Sequence, residues 1–170
     1  MRLFIAVKPG AEVIGALSGV QSQLKRSGVR GNYTSLYNLH ITLAFIGEYR
    51  YPEKVLAAMK TVAFEPFHTA LSGFGAFDRL YWVGLSGEEK LSAYAARLRE
   101  ALAEAGIPYD KKRFSPHITV LRQADRPAGA ISVKNVELTA DRVYLMRSDR
   151  GPQGMIYTPV GSVRADGMEK

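Results

Sequence analysis

The tripeptide His-Ile-Thr occurs twice, at His40-Ile41-Thr42 and at His117-Ile118-Thr119, in a chain of 170 residues with 3 histidines. Each copy stands in an apolar run, LHITLAFI over Leu39–Ile46 and HITVL over His117–Leu121. On a strand, residues two apart share a face. Each imidazole therefore points the same way as its own threonine hydroxyl, while Ile41 and Ile118 point to the opposite face, the core. Two imidazoles at one cleft can divide general-acid and general-base duty. An ordinary imidazole titrates near pH ~6.5, so two of them can hold opposite protonation states around neutrality. The threonine hydroxyls can donate hydrogen bonds to non-bridging phosphate oxygens as negative charge builds. In-line displacement at phosphorus needs attacking and leaving groups on opposite sides, and a pseudo-two-fold pair of such strands supplies that arrangement.

One short motif match carries little weight, because apolar words of this kind recur by chance. The surrounding elements raise it. The two copies lie 77 residues apart (117 − 40), and the same offset aligns Arg2-Leu3-Phe4-Ile5 with Arg79-Leu80-Tyr81-Trp82. Both of those runs read as strands. A helix is predicted after each: about Ala11 to Arg26, with apolar Val13, Leu17, Val20 and Leu24, and about Glu88 to Ala105, with Leu91, Tyr94, Leu98 and Leu102. These spacings of three and four are helical, and Gly28 and Gly106 stop the two helices. The chain thus reads as two similar halves, each a strand, a helix, a loop and an HxT strand. Pro52 to Val62 is predicted as a further helix with proline in its first turn. Phe64 to Phe77 is predicted as a strand ending in a bend at Gly73-Phe74-Gly75, leading into a strand over Leu80 to Leu85. The tail offers three more strands, Ile131 to Leu138, Asp141 to Arg147 and Met155 to Val163, with a turn at Ser148–Pro152 between the last two.

Composition narrows the class. A hydrophobic content of 46% with 23% charged residues is ordinary for a globular protein, and the expectation is one bilobal domain over residues 1–170. No apolar run approaches the ~20 residues that span a bilayer, so no membrane partner is expected. Strand pattern begins at once, without the look of a signal peptide. The absence of cysteine excludes disulfides and thiolate metal sites. A cytoplasmic monomer is the expectation. Lys and Arg number 23 against 16 Asp and Glu, a net charge of +7. A polyanionic partner explains such an excess, and so does a solvated surface. Joined to a phosphate-type site, it favours RNA or a nucleotide. Metal binding is poorly supported, since the two HxT histidines lack a neighbouring Asp, Glu or Cys at ligand spacing. His68, in Phe67-His68-Thr69-Ala70, lacks the HxT form and reads as structural or surface. Serine triads and glycine-rich phosphate loops are missing too, and no cofactor is expected.

Asn38-Leu39-His40-Ile41-Thr42-Leu43 with Phe45-Ile46-Gly47-Glu48, and Phe114-Ser115-Pro116-His117-Ile118-Thr119, resemble the two signatures of the 2H phosphoesterase superfamily. Within it the chain looks most like the bacterial and archaeal RNA 2′,3′-cyclic phosphodiesterases, also called 2′-5′ RNA ligases. Arg2-Leu3-Phe4-Ile5-Ala6-Val7 and Gly151-Pro152 with Tyr157 extend the likeness from residue 2 to about 163. The resemblance implies a bilobal α+β fold, two pseudo-symmetric halves whose antiparallel sheets form a central cleft with helices outside. It implies metal-independent hydrolysis of a terminal RNA 2′,3′-cyclic phosphate to a 2′-phosphate, with RNA ends (tRNA among them) or cyclic nucleotides as partners. By motif position His40 is the proton donor to the 3′ oxygen and His117 the base that activates water, with Thr42 and Thr119 holding the phosphate. From the residues alone the two histidine roles are interchangeable.

Arg122 lies five residues after His117, off the strict alternation, yet in the following turn it can swing back to the cleft, where the family often carries a basic residue. Arg suits phosphate; a solvated strand end is the alternative. Arg113, in Lys111-Lys112-Arg113, is a candidate guide for the RNA backbone or simply a solvated loop. Tyr33, Tyr37 and Phe114 are candidates to stack a base, and equally credible as core or rim. Rival functions are a phosphodiesterase for other cyclic or 2′-5′-linked nucleotides, reversible 2′-5′ ligation, and an RNA-binding module without activity.

Overall fold

The structure, a computed structural model, describes residues 1–166. In chain order its elements are β1 (Arg2–Val7), α1 (Ala11–Arg26), β2 (Asn32–Tyr33), a 3₁₀ turn (Leu36–Asn38), β3 (Ile41–Glu48), α2 (Pro52–Lys60), β4 (Phe67–Phe77), β5 (Leu80–Ser86), α3 (Glu89–Glu104), β6 (His117–Arg122), β7 (Glu137–Ala140), β8 (Arg142–Gly151) and β9 (Gly154–Arg164). The strands form one antiparallel path, β7-β4-β5-β6-β3-β1-β8-β9, with β2 added on β6.

That path is two half-sheets joined at one point. In β3-β1-β8-β9 and in β6-β5-β4-β7 each HxT strand is the inner edge, and the two meet through the single pair Ile41↔Ile118. These residues are themselves 77 apart (118 − 41), so the pair lies on the pseudo-two-fold axis. Both are 0% exposed, on the face predicted to be core. The helices cover that face crosswise: α1 of the first half packs on β6, and α3 of the second on β3.

The helices bury the predicted stripes, Val13, Leu17, Val20 and Leu24 on α1 and Leu91, Tyr94, Leu98 and Leu102 on α3. Each such burial stabilises the fold by roughly 1.5–3 kcal/mol. Both helices end in the same motif. Gly28 and Gly106 take positive φ, and Val29 N–H bonds Leu24 O at 3.1 Å as Ile107 N–H bonds Leu102 O at 2.9 Å. This is the left-handed glycine stop that satisfies the last carbonyls.

The two HxT strands also share a bulge. On β3, Thr42 and Ala44 pair with the adjacent Ala6 and Ile5, leaving Leu43 extra; on β6, Thr119 and Leu121 pair with the adjacent Trp82 and Tyr81, leaving Val120 extra. The extra residues are again 77 apart (120 − 43). A bulge of this kind slips the alternation by one, so Leu43-Ala44 and Val120-Leu121 are consecutive buried pairs.

Three sequence expectations are corrected. The strand expected at Ile131–Leu138 exists only as β7, Glu137–Ala140. Its first part is captured by a side chain instead: Gln23 Nε2 donates to Ser132 O at 2.7 Å and Ser132 N–H donates to Gln23 Oε1 at 2.9 Å. That amide takes the place of a partner strand. The expected bend at Gly73-Phe74-Gly75 is a break in register between Leu71 and Phe74, with Gly73 at φ +77, and β4 continues through it. The turn expected at Ser148–Pro152 is shorter, because Ser148 and Asp149 pair with Tyr157 and Ile156 in the ladder.

Candidate active site

His40 stands immediately before β3 and His117 opens β6. In each, ring Nδ1 lies 2.6 Å from the carbonyl oxygen two residues earlier, that of Asn38 or of Ser115. A carbonyl only accepts, so Nδ1 carries the hydrogen in both rings, and Nε2 is the atom left for proton exchange. The anchors are 77 residues apart as well (115 − 38). His40 Nε2 lies 2.8 Å from Thr42 Oγ1, the i to i+2 contact that the strand period requires. With the ring neutral, the hydroxyl donates to that nitrogen.

Aromatic rings wall each histidine. His40 sits 4.9 Å from Phe4 and 5.3 Å edge-on to Tyr157, ring centre to ring centre. His117 lies 5.9 Å edge-on to Phe77 and 6.0 Å from Trp82. Burial pushes the His40 pKa below the ordinary imidazole value; the Asn38 hydrogen bond opposes this, and the charges of Arg122 and His117 add to the lowering. The neutral ring is thereby favoured in the free protein.

A cleft of about 750 Å³ opens beside His40, lined by His40, Thr119, Arg122, Tyr33, Asn38 and Tyr157 among others, whereas His117 and Thr42 are not among its lining residues. It lies well within the ~300–1,000 Å³ typical of ligand sites. No Asp or Glu is among its described lining residues. Arg122 reaches it through the bulge at Val120, which puts residue 122 on the Thr119 side despite the odd spacing from His117. Sequence spacing alone could not show that slip.

The remaining candidates scatter. Tyr33 is half-buried in the cleft wall, its hydroxyl donating to Val29 O at 2.7 Å and the Lys25 ammonium 4.8 Å from its ring centre. Phe114 packs against the core with the Arg99 guanidinium 5.9 Å from its ring, and neither it nor the exposed Arg113 lines the cleft. Tyr37 projects from the 3₁₀ turn, 89% exposed. His68 is exposed on β4 beside Thr139, 3.4 Å away, as a surface residue. No group of three or more His, Cys, Asp or Glu able to hold a metal ion occurs among the described residues. Sequence reasoning missed the carbonyl anchors, for which no side-chain signal exists, and Arg150, which also lines the cleft.

A family model described as the 2′-5′ RNA ligase superfamily matches residues 21–152. The chain belongs to that superfamily. Similar proteins named RNA 2′,3′-cyclic phosphodiesterase include one from Archaeoglobus fulgidus, 31% identical over 98% of this chain and 97% of its own length. Another, from Thermotoga maritima, is 29% identical over 92% of this chain and 91% of that protein. Among solved structures, TT0787 of Thermus thermophilus matches with a TM-score of 0.85 and 30% identity, over 99% of this chain and 100% of that one. Escherichia coli LigT complexed with 3′-AMP shares the fold, with a TM-score of 0.84 at 24% identity over 97% of each chain. Membership of the 2′-5′ RNA ligase superfamily places this chain among the 2H phosphoesterases.

Proposed function

We propose that the protein hydrolyses the terminal 2′,3′-cyclic phosphate of RNA to a 2′-phosphate by two-histidine acid–base chemistry, without a metal. The observation that carries this reading is the pair of imidazoles held in one tautomer by carbonyls at matching positions, each with Nε2 left for proton transfer. Relatives of similar length named RNA 2′,3′-cyclic phosphodiesterase support the substrate class.

In this scheme Nε2 of His117 takes a proton from water as its oxygen attacks phosphorus. The bond from phosphorus to the 3′ oxygen breaks, and protonated His40 gives its Nε2 proton to that oxygen. The products are a 2′-phosphomonoester and a free 3′-hydroxyl, and the two rings return to their starting states by exchange with solvent. Thr42, Thr119 and Arg122 hold the non-bridging oxygens as charge develops. Burial, and then the nearby positive charge, lower the His40 pKa in the free protein, so His40 must gain its proton before it can donate. An anionic phosphodiester beside Arg122 offsets the charge part of that lowering.

Incubating the protein with an RNA ending in 2′,3′-cyclic phosphate, in excess chelator, is expected to give a 2′-phosphate terminus. A 3′-phosphate terminus, or no turnover, would overturn the proposal.

A further inference from the structure

The cleft is not symmetric about the pseudo-two-fold. On the His117 side the ring is flanked by Phe77 and Trp82, whereas the open volume runs from His40 and Thr119 past Arg122 to the β8–β9 hairpin. The far wall holds a second cation, Arg150, near the end of β8. Arg147 on the same strand is taken by Asp149, 2.9 Å away. Arg150 has no ion pair or side-chain hydrogen bond among the described residues, and no acidic residue lines the cleft beside it. Such a guanidinium is ready for an anionic ligand.

Arg150 is exposed, and the backbone that carries it is tied to His40. Arg150 pairs in register with Met155, and Met155 O accepts a 2.9 Å hydrogen bond from Asn38 Nδ2. The backbone carbonyl of Asn38 in turn holds His40 Nδ1. One residue therefore ties the hairpin that carries Arg150 to the imidazole.

Resting on the proposed function, we infer that Arg150 forms a second phosphate subsite, for the 5′-phosphate of the terminal nucleotide. In a nucleoside 2′,3′-cyclic phosphate the reacting phosphorus sits on one edge of the ribose and the 5′ oxygen leaves from the other. With the reacting phosphate at His40, Thr119 and Arg122 on the β3–β6 side, the 5′-phosphate extends along the open cleft toward the hairpin. In an RNA strand that group is the diester to the preceding residue. The subsite makes the enzyme select a strand end over a free nucleoside cyclic phosphate, and Arg122 and Arg150 divide the two phosphates between them.

Equilibrium binding of adenosine 2′,5′-bisphosphate against adenosine 2′-monophosphate tests this without turnover. The bisphosphate is expected to bind at least ~10-fold more tightly, the scale of one added charge-assisted hydrogen bond. Arg150→Gln is expected to shrink that advantage at least ~5-fold, and Arg150→Lys to keep most of it. Bisphosphate binding should also depend less steeply on salt in Arg150→Gln, because one screened charge pair is lost. Equal affinity for the two ligands, or an equal loss on both in Arg150→Gln, would overturn the subsite. Absence of cyclic-phosphate hydrolysis with the bisphosphate advantage intact would instead remove the proposed activity and leave the subsite standing.

Discussion

Phe45 and Arg122 occupy the same place in two copies of one bulged strand, 77 residues apart (122 − 45), each two residues beyond the extra residue of its bulge. The bulge turns both toward the cleft side. Phe45 joins an apolar cluster with Phe4, Met146 and Tyr157, whereas Arg122 lines the cavity. A duplicated scaffold has thus been made unequal at one position, with a ring packed into the Phe4 cluster in one half and a cation lining the cleft with Thr119 in the other.

Arg122→Gln is accordingly expected to lower kcat/KM on a cyclic-phosphate RNA by ~10–10²-fold, the worth of a charged hydrogen bond of ~1.5–3 kcal/mol. Arg122→Lys should recover only part, because a point charge replaces a planar fork. Steady-state kinetics on the three proteins decides it; full activity in Arg122→Gln would show that this side of the cleft does not hold the phosphate.

His40→Ala and His117→Ala should each reduce kcat by ~10²–10⁴-fold, the range for one general acid or base. Because the groups act on one step, the double variant should lose much less than the product of the single losses. Single-turnover rates measure this. A variant with near-normal kcat would remove its histidine from the proton-transfer scheme.

Much of this was legible in the chain, and the reason is periodicity. The predicted bounds of α1 coincide with Ala11–Arg26, since apolar residues recur without interruption and a glycine follows. The HxT faces followed from period two, and His40 with Thr42 meets that expectation at 2.8 Å. What escaped was set by side chains standing in for backbone. Gln23 replaces a partner strand at Ser132, and the buried Gln21 donates to Thr34 O at 2.8 Å and to Val120 O at 3.0 Å, pinning α1 to the bulge of β6. Neither glutamine breaks the apolar pattern, so neither announces itself. The arrival of Arg122 at the cleft depended on a bulge, and a bulge has no period to read.

The pH dependence of stability follows from His40. Its folded pKa lies below the ordinary imidazole value, chiefly through burial, so between the two values the unfolded chain binds a proton that the fold refuses. This contribution is fully present above about pH 6.5 and is lost as pH falls through the folded pKa. Urea denaturation at pH 7.5 and pH 5 should show a smaller acid loss for His40→Gln than for the wild type; equal losses would remove His40 as the cause. Arg122 and His117 supply the positive charges facing it. Binding of adenosine 2′-monophosphate near pH 7 should therefore take up a proton, seen by calorimetry in buffers of different ionisation enthalpy. That uptake should shrink in His40→Gln.

The wall behind His117 is testable through a glycine. Gly75 on β4 pairs with Trp82 on β5, and a Cβ added at Gly75 would come within 2.3 Å of the indole Cζ2 and 2.4 Å of Cη2. Glycine is what lets the indole lie across its neighbour strand. From there the ring sits 6.0 Å from His117 and 5.2 Å from Phe77. Gly75→Ala must displace the ring, at a cost of ~1–3 kcal/mol for overpacking, or ~2–4 °C in Tm per kcal/mol at this size. Trp82 is the one tryptophan of the chain, so its emission reports the displacement directly. The expected signature is shifted emission with a fall in kcat larger than any rise in KM, because a His117 without its wall is misplaced for proton transfer even when the phosphate still binds. Shifted emission with unchanged kcat would mean that Trp82 serves packing alone and that the Ser115 carbonyl suffices to hold the ring.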